Sequence, residues 1–143
     1  MQTAEQQILI GFNEFKVTKL EMNISGPNNG NELNVTLGFD PIFFKDENRK
    51  KEFALDFLIK LNNLENTLLI EVKALAYFRT SIEITEEFKL SDWPIVNAPA
   101  IAFPYLRAFI STVSLNAGIN PVILPAFNFT KLNPSLSKEN QVE

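Results

Sequence analysis

The 143-residue chain has a formal net charge of −4 and 13 phenylalanines, but it contains no cysteine and no histidine. The missing residue types exclude thiolate catalysis, histidine-based triads, disulfide bonds and the common zinc sites. The acidic balance argues against nucleic acid as the main partner, because phosphate binding needs concentrated Lys and Arg. The length predicts a single domain, and the surplus of phenylalanine indicates apolar interfaces or binding grooves in addition to a core.

A long first strand with one or two bulges is predicted from Ile8 to Ile24. Apolar and polar residues alternate through this stretch, but the apolar parity changes at Phe15 and returns at Leu20. An extra residue inserted into a strand produces such a phase change. Residues 26–31, which are dense in Gly, Pro and Asn, form the following loop.

Three more strands are predicted from strict alternation of apolar residues. The predicted ranges are 33–39, which Asp40-Pro41 ends, then 53–61, and then about 67–84. Short links between consecutive strands favour an antiparallel sheet, because parallel pairs need long crossovers.

A long helix is predicted after the strands, with Pro99 and Pro104 near its start. Apolar residues then recur at steps of three and four, Gly118 stands at the C-terminal cap position, and Pro121 prevents continuation. Arg107 is the only charge on this helix. A helix with so little charge is typical of a buried position or a subunit contact.

The order of strands followed by a helix predicts an α+β fold with a four-stranded antiparallel sheet. One helix covers only one face of such a sheet, and apolar residues such as Leu69 and Leu75 are left on the other face. We therefore predict an oligomer. The helix residues expected at its interface are Phe103, Tyr105, Leu106, Phe109, Ile110 and Val113.

The domain is expected to span residues 1–133, with residues 134–143 as a polar, disordered tail. Only a short, weak C-terminal helix fits after Phe129, because Asn133-Pro134 interrupts it after one turn. The N-terminus lacks a basic leader, and we expect no segment long enough to cross a bilayer. A cytoplasmic protein is the expectation.

Catalysis is not expected from this sequence. Glu86-Glu87, or Asp40 with Glu71, could form an acid–base pair, but no polar pocket is marked around them. The motifs of phosphate-binding loops, nucleophile elbows and calcium loops are missing. We expect no cofactor and no metal.

The segment around the helix carries a family resemblance. FPYLRAFIS (residues 103–111) followed by INPVILPAFNF (residues 119–129) resembles the SecB family of export chaperones. In that family an FPY-like helix start precedes a Leu-Xaa-Pro-Xaa-Asn-Phe-like stretch, which is read here from Leu124 to Phe129 with Pro125 displaced by one place. The resemblance implies a dimer of dimers that assembles through sheet edges and the long helix.

The resemblance also implies a chaperone that holds non-native polypeptides in apolar grooves and needs no cofactor. Such a protein keeps its clients competent for export or protects them from aggregation. In the family the second strand and the C-terminal region line the groove. Carried onto this chain, the groove residues are Val35, Leu37, Phe39, Phe127, Phe129 and Leu132, each of which also fits an ordinary core position.

The family docks on the motor ATPase SecA through its outer sheet face, to which Glu21, Leu69 and Glu71 correspond. Ser25 stands where a further acidic residue is expected in the family, and the C-terminal helix is interrupted. These departures leave two alternatives open. One is a dedicated chaperone of a single client such as an antitoxin, and the other is a non-catalytic oligomeric adaptor that binds one folded partner.

Overall fold

The computed structural model describes residues 7–27 and 32–132, together with the backbone of residues 141 and 142. Within this part of the chain the strands form one antiparallel sheet in the order β1-β4-β3-β2-β5. Their bounds are β1 Ile10–Ile24, β2 Leu33–Phe43, β3 Glu52–Asn63, β4 Leu68–Thr80 and β5 Gln141–Val142. The first four strands precede a long helix, so the predicted α+β class and the four-stranded antiparallel sheet are confirmed.

The bulges predicted in β1 are present at two positions. The register between β1 and β4 shifts between Phe12 and Glu14, and again between Val17 and Lys19. Each extra residue restores the parity, so that apolar β1 residues fall on one face despite the phase changes in the sequence. Phe12, for example, lies opposite Phe78, and Leu20 opposite Val72.

Strand β2 runs further than predicted. It continues through Asp40-Pro41 to Phe43, with Pro41 opposite Leu55. Proline has no N–H group to donate, but it is tolerated where a strand position makes no bond to its neighbour. Strand β4, in contrast, ends at Thr80 and not near Ile84.

One face of the sheet, which we call the inner face, holds the core. Val17, Ala74, Phe57 and Phe39 form a cross-strand row on it. The last three of these side chains are fully buried. Further along the same face Phe53 stacks on Phe78 with a centroid distance of 5.1 Å. Burial of each such ring contributes about 2–3 kcal/mol, so β2, β3 and β4 carry most of the stability of the protomer.

The helical part begins earlier than predicted. A short helix α1, Glu86–Lys89, is followed by a π-helical turn, Trp93–Asn97, which runs directly into helix α2, Ala98–Asn116. Pro99 therefore lies in the first turn of α2, as expected. Pro104 lies inside the helix and not at its start, which corrects the sequence-based prediction.

The continuous helix Trp93–Asn116 has 24 residues and a mean hydropathy of 1.2, sufficient by length and composition to cross a membrane. The expectation that no segment reaches that length was wrong, because the helix begins before Pro99. A core helix of a globular protein can have the same length and hydropathy. Here the side chains of Ala102, Leu106 and Ile110 are buried in the core of the protomer.

The predicted C-terminal features fall partly outside the described residues. Up to Leu132 the chain shows a single turn at residues 129–131, in which the N–H of Lys131 donates to the carbonyl of Asn128. Of the tail predicted to be disordered, the structure describes only the backbone of Gln141–Val142, which forms β5. The predicted domain boundary at residue 133 lies in the part that is not described.

Gly118 ends α2 in the manner expected from the sequence. Its φ angle is 90°, and its N–H donates to the carbonyl of Leu115 at 3.1 Å. The N–H of Ile119 donates to the carbonyl of Ser114 at 3.3 Å, which completes a Schellman motif.

The substitution Gly118→Ala should lower the free energy of unfolding by roughly 1 kcal/mol, because a side chain disfavours the left-handed conformation. A Cβ atom at this site meets no atom within 4 Å, so the loss is one of backbone strain alone. Gly11→Ala is the matched control, since Gly11 also has open space around it but no positive φ. Urea denaturation measures both, and equal stabilities of the two variants would contradict the assignment.

Candidate polypeptide-binding site

The predicted groove residues of β2 lie on the inner face and are buried in the protomer. Val35, Leu37 and Phe39 belong to the main core cluster, and Leu37 and Phe39 are completely inaccessible. Phe39 contacts Phe57 of β3 and Phe129 of the chain that follows α2. A client therefore reaches the Phe39 side chain only if the covering chain moves.

The covering chain is the extended segment from Ile119 to Leu132, which we call the C-terminal segment. Val122, Leu124 and Phe129 point inward and are buried, whereas Ile123 is 69% exposed. The last two predicted groove residues, Phe127 and Leu132, are half-buried at its end. All six predicted groove residues thus belong to the main core cluster or pack against it.

Aromatic rings join this segment to β2 and α2. Phe129 lies edge-on to Phe39 with a centroid distance of 5.7 Å and is 5.9 Å from Phe103. Phe127 lies edge-on to Phe103 at 4.9 Å. Such edge-to-face pairs are favourable. The C-terminal segment therefore packs on the core through apolar contacts of its aromatic side chains.

A buried serine anchors the start of the C-terminal segment. Ser114 on α2 accepts a hydrogen bond from the N–H of Val122 at 2.8 Å and donates one to the carbonyl of Ser111 at 2.9 Å. The sequence analysis missed this residue, because one serine in an apolar helix carries no signal of its own. The hydrogen bond from Val122 to Ser114 holds the start of the C-terminal segment against α2.

The predicted interface residues of α2 divide into two groups. Phe103, Leu106 and Ile110 are buried in the core of their own protomer and are not available to a partner. Tyr105 is 52% exposed, and Phe109 and Val113 are half-buried. The outward face of α2 carries residues at steps of four and three, as in a helix seam: Ile101, Tyr105, Ala108, Thr112 and Leu115.

The inner side of β1 is apolar but only partly covered by the described residues. No described residue of β1 is buried, and Leu20 is 42% exposed although it opposes the fully buried Val72. This β1 strip consists of Phe12, Phe15, Val17, Leu20, Met22 and Ile24. It is continuous with α2, because Tyr105 stacks on Phe12 with a centroid distance of 4.6 Å.

The predicted docking residues lie together on the other face of the sheet, the outer face. Glu21 and Glu71 are cross-strand partners, and Leu69, which pairs with Asn23, lies two pairs further along on the same face. Lys19 donates a hydrogen bond to Glu71 at 2.6 Å and is 3.4 Å from Glu21. Lys60 lies 3.6 Å from Glu71 on the other side. Ser25 follows β1, and its N–H donates to the carbonyl of Thr67.

These ion pairs change the charge that the outer face presents. The hydrogen bond from Lys19 lowers the pKa of Glu71, and the same bond raises the pKa of Lys19. Both groups therefore stay ionised at neutral pH, and the carboxylate of Glu71 is compensated within the chain. Little net negative charge remains there to attract a basic partner.

The candidate acid–base pairs are not brought together as a site. Asp40 and Glu71 lie on strands separated by β3, and their cross-strand partners on it, Asp56 and Lys60, are four residues apart. Glu86 and Glu87 are exposed in the first turn of α1. Among the described residues no group of three acidic, histidine or cysteine side chains is placed to hold a metal ion.

A sheet of four antiparallel strands, covered by one long helix and an extended C-terminal segment, is the fold of a SecB-like chaperone. Residues 28–139 match the family described as preprotein translocase subunit SecB, and the chain belongs to that family. This match confirms the resemblance seen in the FPY segment.

One relative agrees with the chain in length, and two solved structures agree with it in fold. An uncharacterized protein of Methanocaldococcus jannaschii, MJ0357, is 25% identical over 147 residues, which cover 98% of this chain and 94% of that protein. The solved Rv1957 SecB-like chaperone of Mycobacterium tuberculosis, in complex with a ChAD peptide from the Rv1956 HigA1 antitoxin, superimposes with a TM-score of 0.65 and 16% identity, covering 82% of this chain and 90% of that one. A protein of unknown function from Streptococcus agalactiae gives a TM-score of 0.51 and 14% identity, covering 85% and 100%.

Removal of the serine anchor should loosen the C-terminal segment. Ser114→Ala leaves the N–H of Val122 without its partner, which should lower the free energy of unfolding by roughly 1–2 kcal/mol. Hydrogen exchange should show faster exchange at Val122 in particular. Ser111→Ala is the control, because Ser111 contributes its backbone carbonyl to this network. Equal protection of Val122 in both variants would show that the anchor does not hold the segment.

Proposed function

We propose that this protein is a non-catalytic chaperone that binds non-native polypeptides in the cytoplasm and keeps them from aggregating. Membership in the SecB family carries the proposal. The arrangement of the C-terminal segment supports it, because an apolar cluster covered by chain with irregular backbone can be opened at moderate cost. Burial of apolar client surface, at about 25 cal/mol per Å², offsets the opening of the segment.

The client groove is proposed to lie between β2 and the end of the C-terminal segment. Phe127 and Leu132 are its accessible members, and Phe129 lies beside them on the same segment. Val35, Leu37 and Phe39 form the floor of the groove once the segment moves. The selectivity of such a groove is for exposed apolar stretches and not for a particular sequence. A client that folds buries those stretches and leaves.

A single dedicated client is the second candidate function. The SecB-like chaperone of Mycobacterium tuberculosis was solved with an antitoxin peptide, and this chain shares its fold. The ion pairs of Glu71 with Lys19 and Lys60 also favour a dedicated client over SecA. They weaken the electrostatic attraction of this face for a basic partner. Preprotein transport through SecA remains the alternative role within the family.

We further propose that the protein is a homotetramer, a dimer of dimers. The β1 strip and the outward face of α2 supply the apolar surface, and β1 supplies a sheet edge. A soluble monomer rarely leaves a continuous apolar patch of this kind exposed. A closed arrangement with twofold symmetry covers the same surface on every copy.

The groove proposal predicts that Phe127→Ser/Leu132→Ser weakens client binding roughly tenfold, because two half-buried apolar contacts are lost. Suppression of the aggregation of an unrelated chemically denatured protein, at stoichiometric ratios, measures the effect. Ile123→Ser is the matched control, since Ile123 is more exposed but points away from the groove.

Equal loss in the control would place the binding surface elsewhere. Failure of the unmodified chain to suppress aggregation, together with one stable partner in a pull-down, would favour the adaptor function instead.

The oligomer proposal predicts that Leu20→Glu dissociates the assembly, because a charge in the middle of the β1 strip must be desolvated at an apolar interface. Sedimentation velocity should show smaller species for this variant. Leu90→Glu is the control, because Leu90 is 86% exposed and lies outside both proposed surfaces. A monomeric parent protein, or an unchanged sedimentation coefficient for Leu20→Glu, would contradict the proposal.

A further inference from the structure

The outer faces of β3 and β4 form a regular strip of six cross-strand pairs, which we call the outer strip. It begins with Glu52 opposite Arg79, ends with Asn62 opposite Leu69, and contains no register shift. Every residue of the strip except Ala54 is partly or fully accessible. The proposed tetramer uses the β1 strip and the outward face of α2, so it does not involve the outer strip.

Near each end of the outer strip a cation on one strand faces an acid on the other. A guanidinium nitrogen of Arg79 lies 3.7 Å from a carboxylate oxygen of Glu52, and the ammonium group of Lys60 lies 3.6 Å from the carboxylate of Glu71. A twofold axis that runs between the two strands, in the plane of contact, exchanges β3 and β4 of two facing copies. Each of these cations would then lie over the acid of a second copy as well as beside its own.

The two central pairs of the outer strip are complementary under the same axis. Asp56 lies opposite Leu75, and Leu58 lies opposite Lys73. The axis brings Lys73 of one copy beside Asp56 of the other, and Leu75 beside Leu58. Burial raises the pKa of Asp56, and Lys73 of its own chain offsets this effect only in part. A second cation near this half-buried carboxylate therefore compensates a desolvation cost that the protomer leaves.

Size and area are also compatible with a contact between two copies. The half-buried ring of Tyr77 lies opposite Ala54, so the axis places each ring over the small side chain of the facing copy. The four long strands have 11 to 15 residues. At about 4.8 Å between strands and about 3.3 Å per residue, they give a face of roughly 700 Å² per copy. Two such faces fall in the range of roughly 1,200–2,000 Å² that specific interfaces bury.

We propose that the outer strip is a self-association surface, on which a second copy of this chain packs face to face. Packed sheets keep their strand directions nearly aligned, which this twofold arrangement satisfies. The strip carries three cations and three acids in matched positions, so its charge pattern favours a second copy over a purely acidic or purely basic partner. This inference goes beyond the proposed chaperone function and does not depend on client binding.

The contact would compete with the docking of a folded partner on the same face. Leu69 and Glu71, two of the residues predicted to dock on a motor ATPase, belong to the outer strip. A copy packed on the strip covers both of them, so self-association lowers the concentration of chains that are available for docking. In the proposed tetramer the contact would join one assembly to another and not the copies within it.

The test uses two charge reversals that should abolish association singly and restore it when they are mixed. Asp56→Lys makes the centre of the strip positive, and Lys73→Asp makes it negative, so each variant repels its own copies. Sedimentation velocity over a concentration series should show at least about tenfold weaker association of each variant than of the parent. An equal mixture of the two variants should restore the association, since opposite charges then face each other. Glu87→Lys is the control, because it reverses an exposed charge on α1, outside the strip, and should sediment like the parent.

Restoration by mixing separates a contact between copies from a loss of folding, because two misfolded variants do not repair each other. A parent protein without concentration-dependent association through this face, or a mixture that sediments like the single variants, would overturn the proposal.

Leu20→Glu distinguishes this contact from the tetramer proposed above. If both proposals hold, Leu20→Glu should leave dimers that are joined through their outer faces, and Leu20→Glu/Asp56→Lys should be monomeric. Dimers of equal stability in both variants would show that the outer strip is not the contact. If Leu20→Glu leaves the parent assembly unchanged, the tetramer proposal is wrong, and the mixing experiment still decides the outer strip.

Discussion

Among the described residues, the apolar area of the sheet exceeds what the helix and the C-terminal segment cover. One helix and one extended segment lie on the inner face. Most inner-face side chains of β2, β3 and β4 are buried, but every described residue of β1 is partly or fully accessible. Burial of apolar surface is the dominant favourable term in folding, so surface left over at this scale is a source of binding energy. The proposed assembly and the proposed client binding would both be driven by burial of this accessible apolar surface.

The two outermost of the four long strands, β1 and β2, differ in a way that separates these roles. β1 carries two bulges, a long apolar strip and a stacked contact to α2 through Tyr105. Bulges distort the ladder, so this edge suits side-chain packing between copies of the chain. β2 is regular over its pairing with β3 and lies beside the C-terminal segment. In the proposed arrangement β1 serves the assembly, and β2 serves the client.

Much of the sheet could be predicted from sequence, because alternation and parity report directly on which residues share a face. The bulges in β1 and the cap at Gly118 were predictable for the same local reason. The extension of β2 through Pro41 was not, since tolerance of proline depends on a strand's position in the sheet. Nor could the sequence separate Phe103, which is buried, from Tyr105, which is exposed, because both continue the same helical pattern. Ser114 and β5 act through single hydrogen bonds and backbone pairing, which leave no mark in composition.

Pro41 has one more consequence. The outer strand of a sheet can act as a template on which copies of a chain pair edge to edge and aggregate. Pro41 has no N–H group. A strand that paired with β2 on the side away from β3 would therefore lack one backbone hydrogen bond, two residues beyond Phe39. Pro41 therefore interrupts edge-to-edge pairing along this part of β2 and makes it a poor seed for amyloid.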